Sequence, residues 1–125
     1  MSGLTLDAGA LIAFERGDRD MVAIVARARA HRMTLAVPSG AVGQAWCDGW
    51  RQVRLGMLLA SEAVDVEPLD DARARAAGQL CGVSKTRDVI DAPIVLCARR
   101  RGHGVVTSDP DDMMRLDPTL RVVRV

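Results

Sequence analysis

Apolar positions along the chain follow two periods in turn. Leu4 to Leu6 reads as a short strand, and Ala8 to Arg16 as a helix offering Leu11, Ile12 and Phe14 for burial, with Gly17 as its stop. Asp20 to His31 carries Met21, Ile24, Val25 and Ala28 at spacings of three and four, which predicts an amphipathic helix. Thr34 to Val37 is a second strand, ended by Pro38. Ser39 is placed to cap a helix reaching about Trp50, and Arg54 to Leu59 reads as another. Val64 to Val66 alternates as a third strand at an edge, closed by Pro68, and Asp70 to Cys81 is an Ala-rich helix. After a loop at Gly82 to Thr86 come a helix from near Asp88 to Arg101, a strand over Gly104 to Thr107, a short helix over Pro110 to Leu116 and a last strand over Leu120 to Val125.

This alternation predicts an α/β fold, a parallel sheet covered by helices on both faces. Ligands of such sheets sit outside the carboxyl ends of the strands. Two acids fall there: Asp7 follows the first strand, and Asp109 follows the strand in Val105-Val106-Thr107-Ser108-Asp109. Asp88 and Asp91 lie at the start of the helix leading into that second strand, three residues apart and so on one face. Each acid alone is explained as a helix cap, a first-turn charge or a solvated side chain.

Gathered in one cleft, they need more. Two carboxylates about 4 Å apart repel by roughly 4 kcal/mol at an effective dielectric near 20. Either a proton is shared between them or a divalent cation neutralises them, and an oxygen-only donor set favours Mg²⁺ or Mn²⁺ over zinc. Such an ion polarises a phosphodiester and lowers the pKa of a bound water, which is nuclease-like chemistry.

The rest of the composition narrows the classes. With 125 residues, 49% of them hydrophobic, the chain suffices for one core and one domain, residues 1–125. Seventeen basic against sixteen acidic side chains exclude nucleic-acid binding by bulk charge alone. Phe14, Trp46 and Trp50 are the only aromatics and offer no stacking platform; core packing accounts for them as well as any surface role. Cys47, Cys81 and Cys97 have no paired spacing and read as buried reduced thiols, and His31 and His103 as surface residues. No apolar run is long enough for a membrane helix and no signal core opens the chain, so a cytoplasmic protein is expected.

At the motifs LDAGALIAFERG, DVIDAPIVLCARRRG and VVTSDPDDM the sequence resembles the PIN-domain ribonucleases, and among them the VapC toxins of bacterial toxin–antitoxin pairs. The resemblance implies a PIN-like three-layer α/β/α sandwich with a mostly parallel central sheet. It matches Asp7, Asp91 and Asp109 to the catalytic, metal-binding acids, with Asp88 as a further metal ligand; Asp88 and Asp112 lie beside matched positions, from which they contribute through a water or a second metal. Thr107 and Ser108 match hydroxyl residues that orient a carboxylate or a water. It further implies Mg²⁺- or Mn²⁺-dependent cleavage of RNA, a cognate antitoxin and a homodimer, with Arg16, Arg51, Arg54 and Arg87 as candidate phosphate contacts.

One position departs from the family pattern. Where the family places a Glu in the helix after the second strand, this chain has Gln44, a neutral and much weaker ligand. That substitution motivates an alternative expectation, a catalytically silent PIN domain that binds RNA or a protein partner. A phospho-accepting receiver domain is disfavoured because Lys85 is the only Lys and lies far from the chain's end, and a dehalogenase-like phosphatase because position 9 is Gly rather than Asp.

Overall fold

A computed structural model describes residues 2–125. Five strands form its sheet: β1 (Gly3–Leu6), β2 (Thr34–Pro38), β3 (Val64–Glu67), β4 (Gly104–Thr107) and β5 (Val122–Arg124). Their spatial order is β3-β2-β1-β4-β5, and every neighbouring pair is parallel. The sheet is thus wholly parallel, and β3 is an edge strand as its alternation predicts.

Seven helices connect these strands: α1 (Ala8–Glu15), α2 (Arg19–Ala30), α3 (Ser39–Ala45), α4 (Val53–Ala60), α5 (Asp71–Ser84), α6 (Asp91–Arg101) and α7 (Pro110–Leu116). The chain moves outward from β1 through β2 to β3, then returns across the sheet to β4 and continues to β5. Right-handed crossovers in opposite directions require opposite faces. The core joins Leu6, Leu35, Val37, Val105 and Val106 of the strands to Leu11, Met21 and Leu55 of α1, α2 and α4, and to Ile94, Val95 and Met113 of α6 and α7. The direction of winding reverses between β1 and β4, and in open parallel sheets the crevice at that reversal is the ligand site.

Several elements differ from expectation for identifiable reasons. The helix begun at Ser39 stops at Ala45 because the buried Gln52 side chain takes over its end: Nε2 donates to the Ala45 carbonyl at 2.8 Å, and Oε1 accepts from the N–H groups of Cys47 and Asp48. Ser39 does not cap it. Its hydroxyl accepts from Leu69 N–H at 3.0 Å instead, and Pro38 occupies the cap position. α5 runs on to Ser84, ending where Lys85 adopts φ +56°, so most of the expected loop at Gly82 to Thr86 is helix.

α6 starts at Asp91 rather than Asp88, since the Asp88 carboxylate accepts the Ile90 and Asp91 N–H groups as a cap does. His103 is buried, not superficial, with Nδ1 3.1 Å from the Thr5 hydroxyl, and burial lowers its pKa. Cys47 is exposed, whereas Cys81 and Cys97 are buried as expected. Trp46 packs over Gly49 and Gly56, but Trp50 is 94% exposed and belongs to no core. Among the described residues no helix is long and apolar enough to cross a membrane.

The basic run Arg99-Arg100-Arg101 is consumed by structure. Arg99 pairs with Asp117 at 2.8 Å and Arg101 with Asp65 at 2.8 Å, while Arg100 and Arg101 both reach Glu67, a buried acid at the end of β3. Burial alone raises the Glu67 carboxyl, yet these guanidinium groups and Arg73 hold it below its usual value.

Candidate metal centre

β1 and β4 deliver Asp7 and Asp109 to the crevice at the reversal of the sheet. Asp7 follows the last residue of β1 and is 6% exposed. Its backbone is extended, and Oδ1 accepts the Ala10 N–H at 2.8 Å, which caps α1. The other carboxylate oxygen accepts from the Thr107 hydroxyl, and Thr107 Oγ1 in turn accepts the Asp109 N–H at 2.9 Å. One hydroxyl at the end of β4 therefore fixes both acids.

Close approach of α1 to the β4 end depends on Gly9. A Cβ at that position would lie 2.0 Å from Ser108 Oγ and 2.9 Å from Ser108 Cβ. Gly17, at φ +74°, then turns the chain out of α1 in a conformation that side chains resist.

The third and fourth acids come from the turn before α6. Asp88 Oδ1 accepts from Asp91 N–H at 2.9 Å and Ile90 N–H at 3.1 Å, while the Cys81 thiol supports the turn from below by bonding the Asp88 carbonyl. Carboxylate oxygens of Asp88, Asp91 and Asp112 all lie within 4.8 Å of one another. Together with Thr86, Arg115 and Leu116 they line a cavity of about 100 Å³.

Crowding shifts these groups. Burial, then the hydrogen bond and the charge of Asp88, and lesser contributions from Asp7 and Asp112 push the Asp91 carboxyl up to about 7. Burial raises Asp88 as well, but the hydrogen bonds it accepts from the Asp91 carboxyl and from backbone N–H groups outweigh this and hold it low. Burial also raises Asp7, opposed by Thr107 and by backbone donors and reinforced by the charge of Asp109. Asp112 is raised chiefly by its hydrogen bond with Asp109. Each acid thus senses at least one other.

The structure therefore brings Asp7, Asp88, Asp91 and Asp109 to one edge of the sheet, and it sets Asp112, expected beside a matched position, directly against Asp88 and Asp91. A legible signal existed for Asp112: it stands three residues after Asp109 in the first turn of α7, the same spacing as Asp88 and Asp91. Thr86 and Arg115 carried no comparable mark. Gln44 lies outside the close carboxylate group, exposed near the end of α3.

No family model matches the sequence, and no curated protein does. Solved structures do match in shape. The VapC20 toxin of Mycobacterium tuberculosis, which cleaves the sarcin–ricin loop, superposes with a TM-score of 0.69 over 98% of this chain and 100% of that one, at 15% identity. A chain of the VapBC2 complex of Rickettsia felis, bound to promoter DNA, gives a TM-score of 0.70 over 98% of both chains, at 14% identity. The fold is PIN-like. A chain of the FitAcB structure from Neisseria gonorrhoeae agrees at a TM-score of 0.66, 16% identity and 97% of this chain. The PIN-like architecture implied by three short motifs is met over nearly the whole length, although six residues in seven differ from each of these proteins.

Proposed function

We propose that this chain is a divalent-metal-dependent endoribonuclease acting as the toxin of a toxin–antitoxin pair. The observation that carries the reading is the convergence of acids from the ends of β1 and β4, the turn before α6 and the start of α7, with Asp91 pushed up to about 7. A group of carboxylates this close is at odds with itself near neutral pH without a cation, and its oxygen-only donors suit Mg²⁺ or Mn²⁺. An RNA-cleaving toxin and a VapBC complex among the structures of like fold support the assignment of the class and of a cognate antitoxin, respectively.

Asp7, Asp91 and Asp109 are the residues to which the catalytic role is assigned, with Asp88 and Asp112 as additional oxygens for the ion. A bound Mg²⁺ or Mn²⁺ supplies Lewis-acid polarisation of the scissile phosphate and a more acidic water. The chain's own groups do the rest. Thr107 holds Asp7 and the Asp109 backbone in one orientation, the N-terminal turn of α1 fixes the second Asp7 oxygen, and Asp88 fixes the first turn of α6. RNA is the substrate class, and a homodimer is the expected assembly.

Calorimetric titration of the metal-stripped protein with Mn²⁺ and Mg²⁺, with Asp91→Asn alongside, tests the reading. Saturable binding that disappears in the variant, together with RNA cleavage abolished by a chelator, is the expected result. A wild-type protein that binds neither ion supports a second reading, a silent partner-binding domain, for which the neutral Gln44 is the motive.

A further inference from the structure

Arg115 stands one turn after Asp112 on α7, with Nη1 3.6 Å from Asp112 Oδ1 and its side chain 66% exposed. At that separation the two form an ion pair without a hydrogen bond, unlike Arg99, whose Nε donates to Asp117 at 2.8 Å. Arg115 also lines the small cavity formed by Asp88, Asp91 and Asp112, and among the described residues it is the one basic side chain to do so.

The acids create a difficulty for the substrate. Their combined charge exceeds that of a divalent cation, so a phosphodiester entering the cavity meets net repulsion even with an ion in place. A guanidinium on the cavity wall offsets it, and the planar fork of N–H groups matches two phosphate oxygens. The loose hold of Asp112 leaves that fork free to turn.

We propose that Arg115 is a substrate-contacting residue that clamps a backbone phosphate of RNA beside the acid cluster. This rests on the reading of the site as a metal-dependent ribonuclease. Asp112 pairs with Arg115 in this structure; with Asp88 and Asp91 it would hold the ion when one is bound, leaving Arg115 for the phosphate.

The test uses Arg115→Ala and Arg115→Lys in the full chain, with a short single-stranded RNA. Arg115→Ala raises KM about tenfold with a smaller change in kcat. With a cleavage-resistant analogue of the same RNA and Mn²⁺ present, it also lowers the slope of log RNA affinity against log salt by about 0.7, one phosphate contact. Calorimetry on Arg115→Ala alone shows Mn²⁺ binding retained or tightened, since a competing positive charge is gone. Arg115→Lys restores the salt slope and only part of the KM, because it keeps the charge and loses the fork.

Unchanged KM and salt slope in Arg115→Ala overturn the proposal while leaving the ribonuclease reading intact. Loss of Mn²⁺ binding in Arg115→Ala also overturns it, by making the residue a structural support of α7. A wild-type protein that binds no Mn²⁺ and cleaves no RNA removes the ribonuclease reading itself and this inference with it.

Discussion

Asp88 and Asp91 face one another across a single turn, with the Asp88 carboxylate accepting the Asp91 N–H at 2.9 Å and the Asp91 carboxyl hydrogen-bonded to it as well. Their environments push them apart. Asp88 stays ionised and Asp91 holds a proton up to about 7, so the pair carries fewer charges near neutrality than its composition suggests. A divalent ion reverses this by favouring the second ionisation, which ties metal binding to proton release.

The metal-free protein loses stability as pH rises from 3.8 to about 7 on account of Asp91, because the folded state binds the extra proton in that window. His103 acts in the opposite sense below 6.5, since its folded form sheds a proton earlier than the unfolded one. Comparison with Asp91→Asn isolates the carboxyl. Melting temperatures in a chelator are expected to fall less with pH in the variant, and Mn²⁺ is expected to flatten the wild-type dependence. Parallel pH profiles for the two proteins would place Asp91 outside the acid group.

Asp7 does two jobs that separate by mutation. Asp7→Asn keeps an oxygen for the Ala10 N–H and presents its amide NH2 to Thr107 Oγ1, which then accepts rather than donates, so the fold survives while a negative charge is lost. Asp7→Ala removes the cap and costs about 1 kcal/mol or more. Both variants are expected to lose Mn²⁺ binding, but only Asp7→Ala melts lower in a chelator. Equal melting temperatures for the two would show that the cap contributes nothing.

Gly9→Ala places a Cβ against Ser108, with both Oγ and Cβ closer than 3.0 Å. Ser108 is exposed and its hydroxyl can rotate, but its Cβ cannot move without the loop that carries Asp109. Weaker Mn²⁺ binding is expected in Gly9→Ala, with much of it recovered in the double variant Gly9→Ala, Ser108→Gly. A single variant with wild-type affinity would mean that the loop yields at no cost to the site.

How far the sequence discloses this protein depends on which interactions are local. Apolar runs and periodicity found all five strands and all seven helices, and the edge position of β3 followed from its alternation. Boundaries failed where a distant side chain intervened. Gln52, seven residues further along the chain, closes off α3 at Ala45, and Leu69 claims the Ser39 hydroxyl from thirty residues away. The placing of Asp7, Asp88, Asp91 and Asp109 at one edge of the sheet was legible because strand ends and helix starts are marked in sequence. His103 was misplaced for the converse reason: its partner Thr5 lies at the other end of the chain, and nothing beside it in sequence announces burial.

Gln44 is the position where sequence and geometry give the sharpest joint prediction. Gly40, one turn earlier on α3, faces Ile90, with a built Cβ 3.4 Å from Ile90 Cδ1. Residues four apart share a helix face, so Gln44 stands on the side of α3 that looks toward the Asp88–Asp91 turn, and it is exposed enough to reach out. Gln44→Glu adds a charged oxygen donor of the same length. Mn²⁺ affinity is expected to rise about tenfold, equivalent to about 1.4 kcal/mol, with RNA cleavage rising alongside it, and Gln44→Ala is expected to change little. An affinity unmoved by Gln44→Glu would mean that α3 turns this position to solvent, and that the ion is held entirely by the acids of β1, β4 and the turn before α6.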